Sequence, residues 1–344
     1  MKKVVCFFIV IIMLFMSNKT SANYDQYINK SYIVMDANTN KVVEGKEIHL
    51  VRNVASISKI MTAIVAIEYG DLYTEVTITK EDLDTYGSSV YLKEGNKITL
   101  IELIYGLMLR SGNDASLAIA RAVSGSVSEF VSLMNSKASE LGMNNSLFNN
   151  PNGLDANEEG NLSTSYDMAL LMSYALSNQV FREIIGTKTY KSEIGLWKNK
   201  NKLLTSYKYN IGGKTGFTDK AKRTLVTASR KDDLMFVVVT LDCGNDFNFH
   251  KFLYEKNFEK YQSIKVLDEG ENHIENYIIT CNNDIRVMIE KNDISEYKLV
   301  HKIERESSKV YLINDESSEL IGECKIKNND IKESKFKRWI NKYF

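Results

Sequence analysis

Residues 56–69 read Ser-Ile-Ser-Lys-Ile-Met-Thr-Ala-Ile-Val-Ala-Ile-Glu-Tyr. Ile57, Ile60, Met61, Ile64, Val65 and Ile67 recur at helical spacing and predict a long helix that is apolar on most sides. Such a helix has to be wrapped by other elements, so a large core must form around it. Lys59 lies inside this run. Burial disfavours the charged form of an amine, which singles out this lysine as a candidate for chemistry.

The flanking sequence supplies the wrapping. Ser31–Asp36 and Lys41–Gly45 are extended runs around the polar turn Ala37–Asn40, a β-hairpin pattern. Thr99-Leu-Ile-Glu102 reads as a capping box opening a helix that runs to about Arg110. Gly112 breaks it, and Asp114–Val123 resumes as an Ala-rich helix. Ser126-Val-Ser-Glu129 is a second capping box, with Gly142 closing its helix. Asn149–Asp155 is turn-rich, and Thr164–Asp167 introduces another helix. From residue 187 to 243 the pattern turns to strands rich in β-branched residues, followed by a helix around Phe249–Tyr261. Strands at both ends with helices inserted between them predict an α+β domain.

Residues 264–330 alternate short extended runs with polar turns, as in a small all-β domain. They hold nine basic and fifteen acidic residues, whereas 331–344 hold five basic and one acidic; such a reversal marks a boundary. In 331–344, Phe336, Trp339, Ile340, Tyr343 and Phe344 recur at helical spacing between lysines and an arginine. That pattern predicts a basic amphipathic helix for the surface of an anionic membrane. At the other end, Lys2 and Lys3 precede the apolar run Val4–Met16, and Thr20-Ser21-Ala22 closes it. This reads as a signal peptide over residues 1–22, since a span needs about 20 apolar residues. The expected organisation is therefore 1–22 signal peptide, 23–263 main domain, 264–330 β domain and 331–344 tail. The implied location is outside the cytoplasm, at a membrane surface.

Loss of residues 1–22 leaves 41 basic and 44 acidic residues, a charge that gives nucleic acid no attraction. Cys243, Cys281 and Cys324 remain, an odd number without CxxC spacing, which predicts buried unpaired thiols. The four histidines show no ligand spacing, so neither a metal nor another cofactor is expected.

Three short motifs stand in order: Ser56-Ile-Ser-Lys59, Ser111-Gly-Asn113 and Lys214-Thr215-Gly216. Each alone has a plain explanation, as a helix cap or a turn. Together they form a catalytic set. Ser56 and Lys59 are one helical turn apart on one face, and a serine hydroxyl needs a base to become a nucleophile. A second cation, with Lys214 as the candidate, would help keep Lys59 neutral. Ser111, in the helix break, suits proton shuttling, and Asn113 suits a substrate amide. Lys214 and Thr215, expected after a turn at Gly212-Gly213, suit a carboxylate, and Gly216 allows close approach of a substrate backbone.

The chain resembles the serine-type D-alanyl-D-alanine carboxypeptidases, the low-molecular-mass penicillin-binding proteins. The resemblance spans about residues 27–262 and rests on Ala55–Ala63, Gly87–Leu92, Leu107–Ala115, Asn152–Asp155 and Lys214–Thr218. It implies a transpeptidase fold shared with β-lactamases, an antiparallel sheet with a helical insertion. It also implies roles: Ser56 attacks the penultimate D-alanine carbonyl, Lys59 is the base, and Ser111 and Lys214 relay the proton. Asn113 would hold the acyl donor, Thr215 the terminal carboxylate, and the N–H groups of Ser56 and Phe217 the oxyanion. Implied partners are peptidoglycan stem peptides and β-lactam antibiotics as covalent inhibitors, and the implied location is the extracytoplasmic face of the bacterial cell membrane or the cell wall. The chain departs from some relatives in having no arginine within Asp242–Phe247.

Three other readings compete. A β-lactamase normally adds Glu-x-x-Leu-Asn, which is absent between Asn113 and Lys214. An endopeptidase on cross-links uses the same chemistry. A non-catalytic wall-binding protein would not need the complete set.

Overall fold

The computed structural model describes residues 28–155, 160–274, 277–293, 296–303, 307–315, 317–327 and 338–343. The expected signal segment lies outside the described residues, as do 331–337 and 344 of the tail. The chain forms two compact units. One contains the described residues up to 206, with 212–227 and 237–250; the other contains 207–211, 228–236 and the described residues from 251.

The first unit is the predicted α+β arrangement. β1 (Ile28–Asp36) and β2 (Val42–Lys46) form the N-terminal hairpin. β3 (Asn210–Thr218), β4 (Lys222–Lys231) and β5 (Leu234–Cys243) follow as consecutive neighbours. The sheet order is β2-β1-β5-β4-β3, so strands from far apart in sequence meet at β1 and β5. Between them the chain forms α1 (Lys59–Tyr69), α2 (Leu100–Tyr105), α3 (Asn113–Ser124), α4 (Val127–Glu140), α5 (Ser165–Ala175) and α6 (Gln179–Gly186). The apolar run is the centre of this insertion: every residue of α1 from Lys59 to Ala66 is buried, against helices α2 to α6.

Local chemistry explains the boundaries. The Ser126 side chain accepts from the Glu129 N–H at 3.2 Å, and the Thr164 side chain from the Asp167 N–H at 3.0 Å, as those caps predict. Gly142, at φ 72°, ends the turn after α4. Thr99 differs from expectation, because its hydroxyl bonds the Glu102 carboxylate at 3.2 Å and caps no backbone N–H. Gly212 and Gly213 also differ, lying within β3 and not in a turn. A Cβ at Gly213 would stand 2.3 Å from the Val226 carbonyl oxygen, so the neighbouring strand leaves no room for a side chain.

α7 (Asp246–Lys260) follows the sheet, and its first turns lie in the first unit. There His250 is fully buried, with Nδ1 2.7 Å from the Thr227 hydroxyl and Nε2 3.0 Å from that of Thr240. It thereby bridges β4 and β5.

In the second unit, β6 (Tyr261–Leu267) pairs with β9 (Ile285–Glu290), and a six-stranded sheet forms beside this pair in sequence. Its strands are β7 (Gly270–Ile274), β8 (Tyr277–Cys281), β10 (Lys298–Ile303), β11 (Ser307–Ile313), β12 (Ser318–Ile326) and β13 (Arg338–Tyr343). They run in the order β7-β8-β12-β11-β10-β13. Burial alternates along them, with Ile285, Val287 and Ile289 inside on β9, and Val310 and Leu312 inside on β11.

Two expectations are corrected here. Residues 338–343 are a strand paired with β10, not part of a helix. Trp, Ile and Tyr suit strands as well as an amphipathic helix, and the edge of β10 offers unpaired backbone groups to them. Second, Cys281 and Cys324 form a disulfide, with Cα atoms 4.4 Å apart. They lie opposite each other on β8 and β12, one step beyond the Thr280–Lys325 pair, which brings their side chains together. Cys243 is buried.

Burial lowers the His250 imidazole to about 3. An unfolded chain therefore binds a proton between about pH 6.5 and 3 that the folded one does not, and stability falls as pH falls through that window. Substituting His250→Ala leaves two buried hydroxyls without the ring and should cost about 3 kcal/mol. Denaturant melts of both proteins at pH 7 and pH 5 check this. The loss between the two pH values should be smaller in the variant.

Candidate active site

The catalytic candidates converge in the first unit. Ser56 lies in a tight turn, Ala55–Ser58, that leads directly into α1. Lys59 is the first residue of that helix and is fully buried. Its Nζ stands 3.1 Å from the Ser56 hydroxyl and 2.7 Å from Asn113 Oδ1, and it donates to the Asn152 carbonyl oxygen. The Asn113 Nδ2 donates to the Tyr86 carbonyl, which fixes Oδ1 towards the lysine.

These partners decide where the amine lone pair points. A neutral amine has two N–H donors and one lone pair. Asn152 O and Asn113 Oδ1 can only accept, so they take the two donors. Ser56 is the one partner with a proton to give, so once the amine is neutral its lone pair is left for that hydroxyl. The amine is neutral enough for this: burial first, then the charge of Lys200, lowers Lys59 to about 7, against an opposing pull from Asp114. Lys200 is thus a second cation near Lys59 that the motifs did not name, beside the Lys214 that the sequence suggested. Lys214 is itself held well below its ordinary value, by burial and then by the charges of Lys59 and Lys200.

Ser111 follows a widened helical turn, Gly106–Arg110, and adopts a left-handed backbone at φ 65°. That conformation is uncommon outside glycine, and it ends the helix where α3 can start at Asn113. The Ser111 hydroxyl accepts from Lys214 Nζ at 3.0 Å, and Lys214 also donates to the Thr215 carbonyl at 2.8 Å. Lys214, Thr215, Gly216 and Phe217 are consecutive on β3. A Cβ on Gly216 would lie 3.0 Å from the Ser56 backbone nitrogen, so β3 runs closely alongside the Ala55–Ser58 turn. The Phe217 side chain is exposed.

Two parts of the site carried no role in the sequence reading. The loop at Asn152-Gly153 supplies the carbonyl that holds Lys59. Gly153 has φ 77°, and a Cβ there would meet the Ala55 carbonyl oxygen at 2.2 Å, so only glycine lets this loop reach the nucleophile turn. Lys200 is the other. Its Nζ bonds the Ser88 hydroxyl at 2.8 Å, while the Ser88 carbonyl accepts from the Asn113 N–H at 2.8 Å. The stretch Asp242–Phe247, which has no arginine of its own, receives two from elsewhere: Arg52 pairs with Asp242 at 2.9 Å, and Arg223 with Asp246 at 2.7 Å.

A serine activated by a neutral lysine predicts a rate that follows deprotonation of Lys59. Acylation of Ser56 by a β-lactam should rise about tenfold from pH 6 to pH 8 with an apparent pKa near 7, because the protonated amine cannot take the serine proton. Stopped-flow acylation rates across that range check it.

Comparison with known proteins agrees with this geometry. Residues 18–245 match the D-alanyl-D-alanine carboxypeptidase family of peptidases. The chain is 31% identical over 290 residues to D-alanyl-D-alanine carboxypeptidase DacF of Bacillus subtilis, covering 77% of this chain and 73% of that protein. It is 32% identical to DacB2 of Mycobacterium tuberculosis, covering 62% and 74%. Among solved structures, a D-alanyl-D-alanine carboxypeptidase from M. tuberculosis superposes with a TM-score of 0.64 at 29% identity, covering 67% of this chain and 90% of that one. Penicillin-binding protein 5 from Haemophilus influenzae shares the fold over 88% of this chain and 97% of its own, with a TM-score of 0.76 at 22% identity. The transpeptidase fold expected from the sequence is the one observed. By sequence and by fold, the chain belongs to the D-alanyl-D-alanine carboxypeptidases, a family of serine peptidases.

Proposed function

We propose that the enzyme removes the terminal D-alanine from peptidoglycan stem peptides through an acyl-enzyme on Ser56. The observation that carries this reading is the 3.1 Å approach of the buried Lys59 Nζ to the Ser56 hydroxyl. Lys59 takes the serine proton as Oγ attacks the carbonyl of the penultimate D-alanine. The backbone N–H groups of Ser56 and Phe217 stabilise the oxyanion. Ser111, bonded to Lys214, passes a proton to the departing amine of the last D-alanine. Asn113 holds the acyl donor, and Thr215 with Lys214 holds the terminal carboxylate. Water then hydrolyses the ester and frees Ser56.

A β-lactam presents a similar carboxylate beside a strained amide, and its opened ring blocks the path of water. A fluorescent penicillin should therefore label the wild type stoichiometrically and turn over slowly, while Ser56→Ala abolishes labelling. Labelling that survives in Ser56→Ala would sink the acyl-enzyme assignment. With a pentapeptide and a cross-linked dimer offered side by side, D-alanine release from the pentapeptide should dominate. A preference for the dimer would mark an endopeptidase instead.

The disulfide between Cys281 and Cys324 supports export, because such bonds persist in oxidising compartments. The basic residues of 331–344 support attachment to an anionic surface, although residues 338–343 do so from a strand. Cell fractionation should recover the mature protein outside the cytoplasm, on membranes, and deletion of 331–344 should shift it to the wash. Recovery from the cytosol contradicts the export reading.

A further inference from the structure

The Asn113 edge of the site carries more positive charge than the proposed chemistry uses. Lys59 and Lys214 are the working amines, and Asp114 is the carboxylate that acts on Lys59. Asp114 is already committed, accepting from the Ser89 hydroxyl and from the backbone N–H groups of Val90, Leu92 and Ala115. Two further cations remain, Lys200 and Arg110. The backbone N–H of Lys200 donates to Leu109 O at 3.1 Å, which ties it to the turn that ends in Arg110 and Ser111. Its side chain reaches across to Ser88, and Ser88 is bonded to Asn113 through its carbonyl. Lys200 thus spans the two segments that set Ser111 and Asn113.

Lys200 keeps contact with solvent, and its amine bonds a neutral hydroxyl, that of Ser88. Partial burial first, and then the charge of Arg110, whose neighbour Leu109 accepts the Lys200 backbone N–H at 3.1 Å, hold the Lys200 amine below its ordinary value. Among the described residues neither cation is ion-paired. Two like charges held together without a counter-ion repel each other, and an anion placed between them relieves that repulsion.

We propose that Lys200, with Arg110 beside it, forms an anion subsite on the Asn113 edge that takes a carboxylate of the stem-peptide residue preceding the D-alanyl pair. This rests on the reading above, in which Asn113 holds the acyl donor. The residue before the D-alanyl pair then follows Asn113 outward, and its side chain comes to the Ser88–Lys200 face. A diamino dicarboxylic acid at that position presents a free carboxylate there. Lysine, or the carboxamide form of the same acid, does not. The subsite makes the enzyme selective for the acidic class of stem peptide.

The test compares two acylated tripeptides, meso-diaminopimelyl-D-alanyl-D-alanine with its side-chain carboxylate free, and the same peptide with that group as the carboxamide. D-alanine release gives kcat/KM for each, with the mature wild type, Lys200→Gln and Lys200→Arg. The readout is the ratio between peptides, in which any general effect of Lys200 on the catalytic amines cancels. The wild type should favour the free carboxylate about tenfold, the scale of one charge-assisted hydrogen bond. Lys200→Gln should bring the ratio near one, and Lys200→Arg should retain most of it. A wild-type ratio near one, or a preference that survives Lys200→Gln, overturns the subsite. A Lys200 that serves the terminal carboxylate instead would lower both peptides, and penicillin acylation, together and leave the ratio intact, which also overturns it. If neither peptide releases D-alanine while penicillin still labels Ser56, the stem-peptide reading falls and the subsite falls with it.

Discussion

The interaction on which the site depends is the burial of the Lys59 amine inside an apolar helix. Moving that amine from its ordinary 10.5 to about 7 corresponds to a bias against its charged form on the order of 5 kcal/mol. The fold supplies the bias by wrapping α1 with five other helices, and it supplies acceptors so that the neutral amine is not left unpaired. Asn113 and Asn152 each contribute one, from different segments, and the geometry leaves only Ser56 for the lone pair. Core packing and nucleophile activation are the same construction.

Around that centre, backbone devices do the positioning. The left-handed Ser111 turns a helix end into a side chain facing Lys214. Gly153 and Gly216 let a loop and a strand approach the nucleophile turn where a Cβ would collide. β3 itself is held by β4, where the close approach of Gly213 to Val226 leaves no slack. These contacts fix four segments far apart in sequence to within hydrogen-bond distances of one another, which is the pre-organisation that acyl transfer needs.

Much of this was legible in the sequence because its signals are local. Apolar spacing marks α1, the serine and threonine caps mark α4 and α5, and alternation marks the strands of the second unit. The three motifs named the side chains that meet. What was not legible depends on tertiary register or on backbone atoms. Nothing in the type of residue 152 announces that its carbonyl holds Lys59. Lys200 sits in no motif and looks like a surface lysine, although its charge acts on both Lys59 and Lys214. Cys281 and Cys324 are partners only because β8 and β12 align them, which no spacing reveals. Glycines 212 and 213 resemble a turn until Ile185 of α6 is seen pressing on the first and β4 on the second. The aromatic spacing of 338–343 fits a helix as readily as the strand that an open sheet edge makes of it.

The central claim is that the resting enzyme holds the Lys59 amine near 7, so that a substantial share of it is neutral at physiological pH. Direct observation of that ionisation is the sharpest test: NMR titration of lysine labelled with carbon-13 at Cε, with the Lys59 signal assigned by its loss in Lys59→Arg. The account predicts a signal that titrates near 7, well apart from the bulk of the lysines. A Lys59 signal that titrates with the others near 10.5 would contradict it, because the amine would then be charged and have no lone pair to offer Ser56.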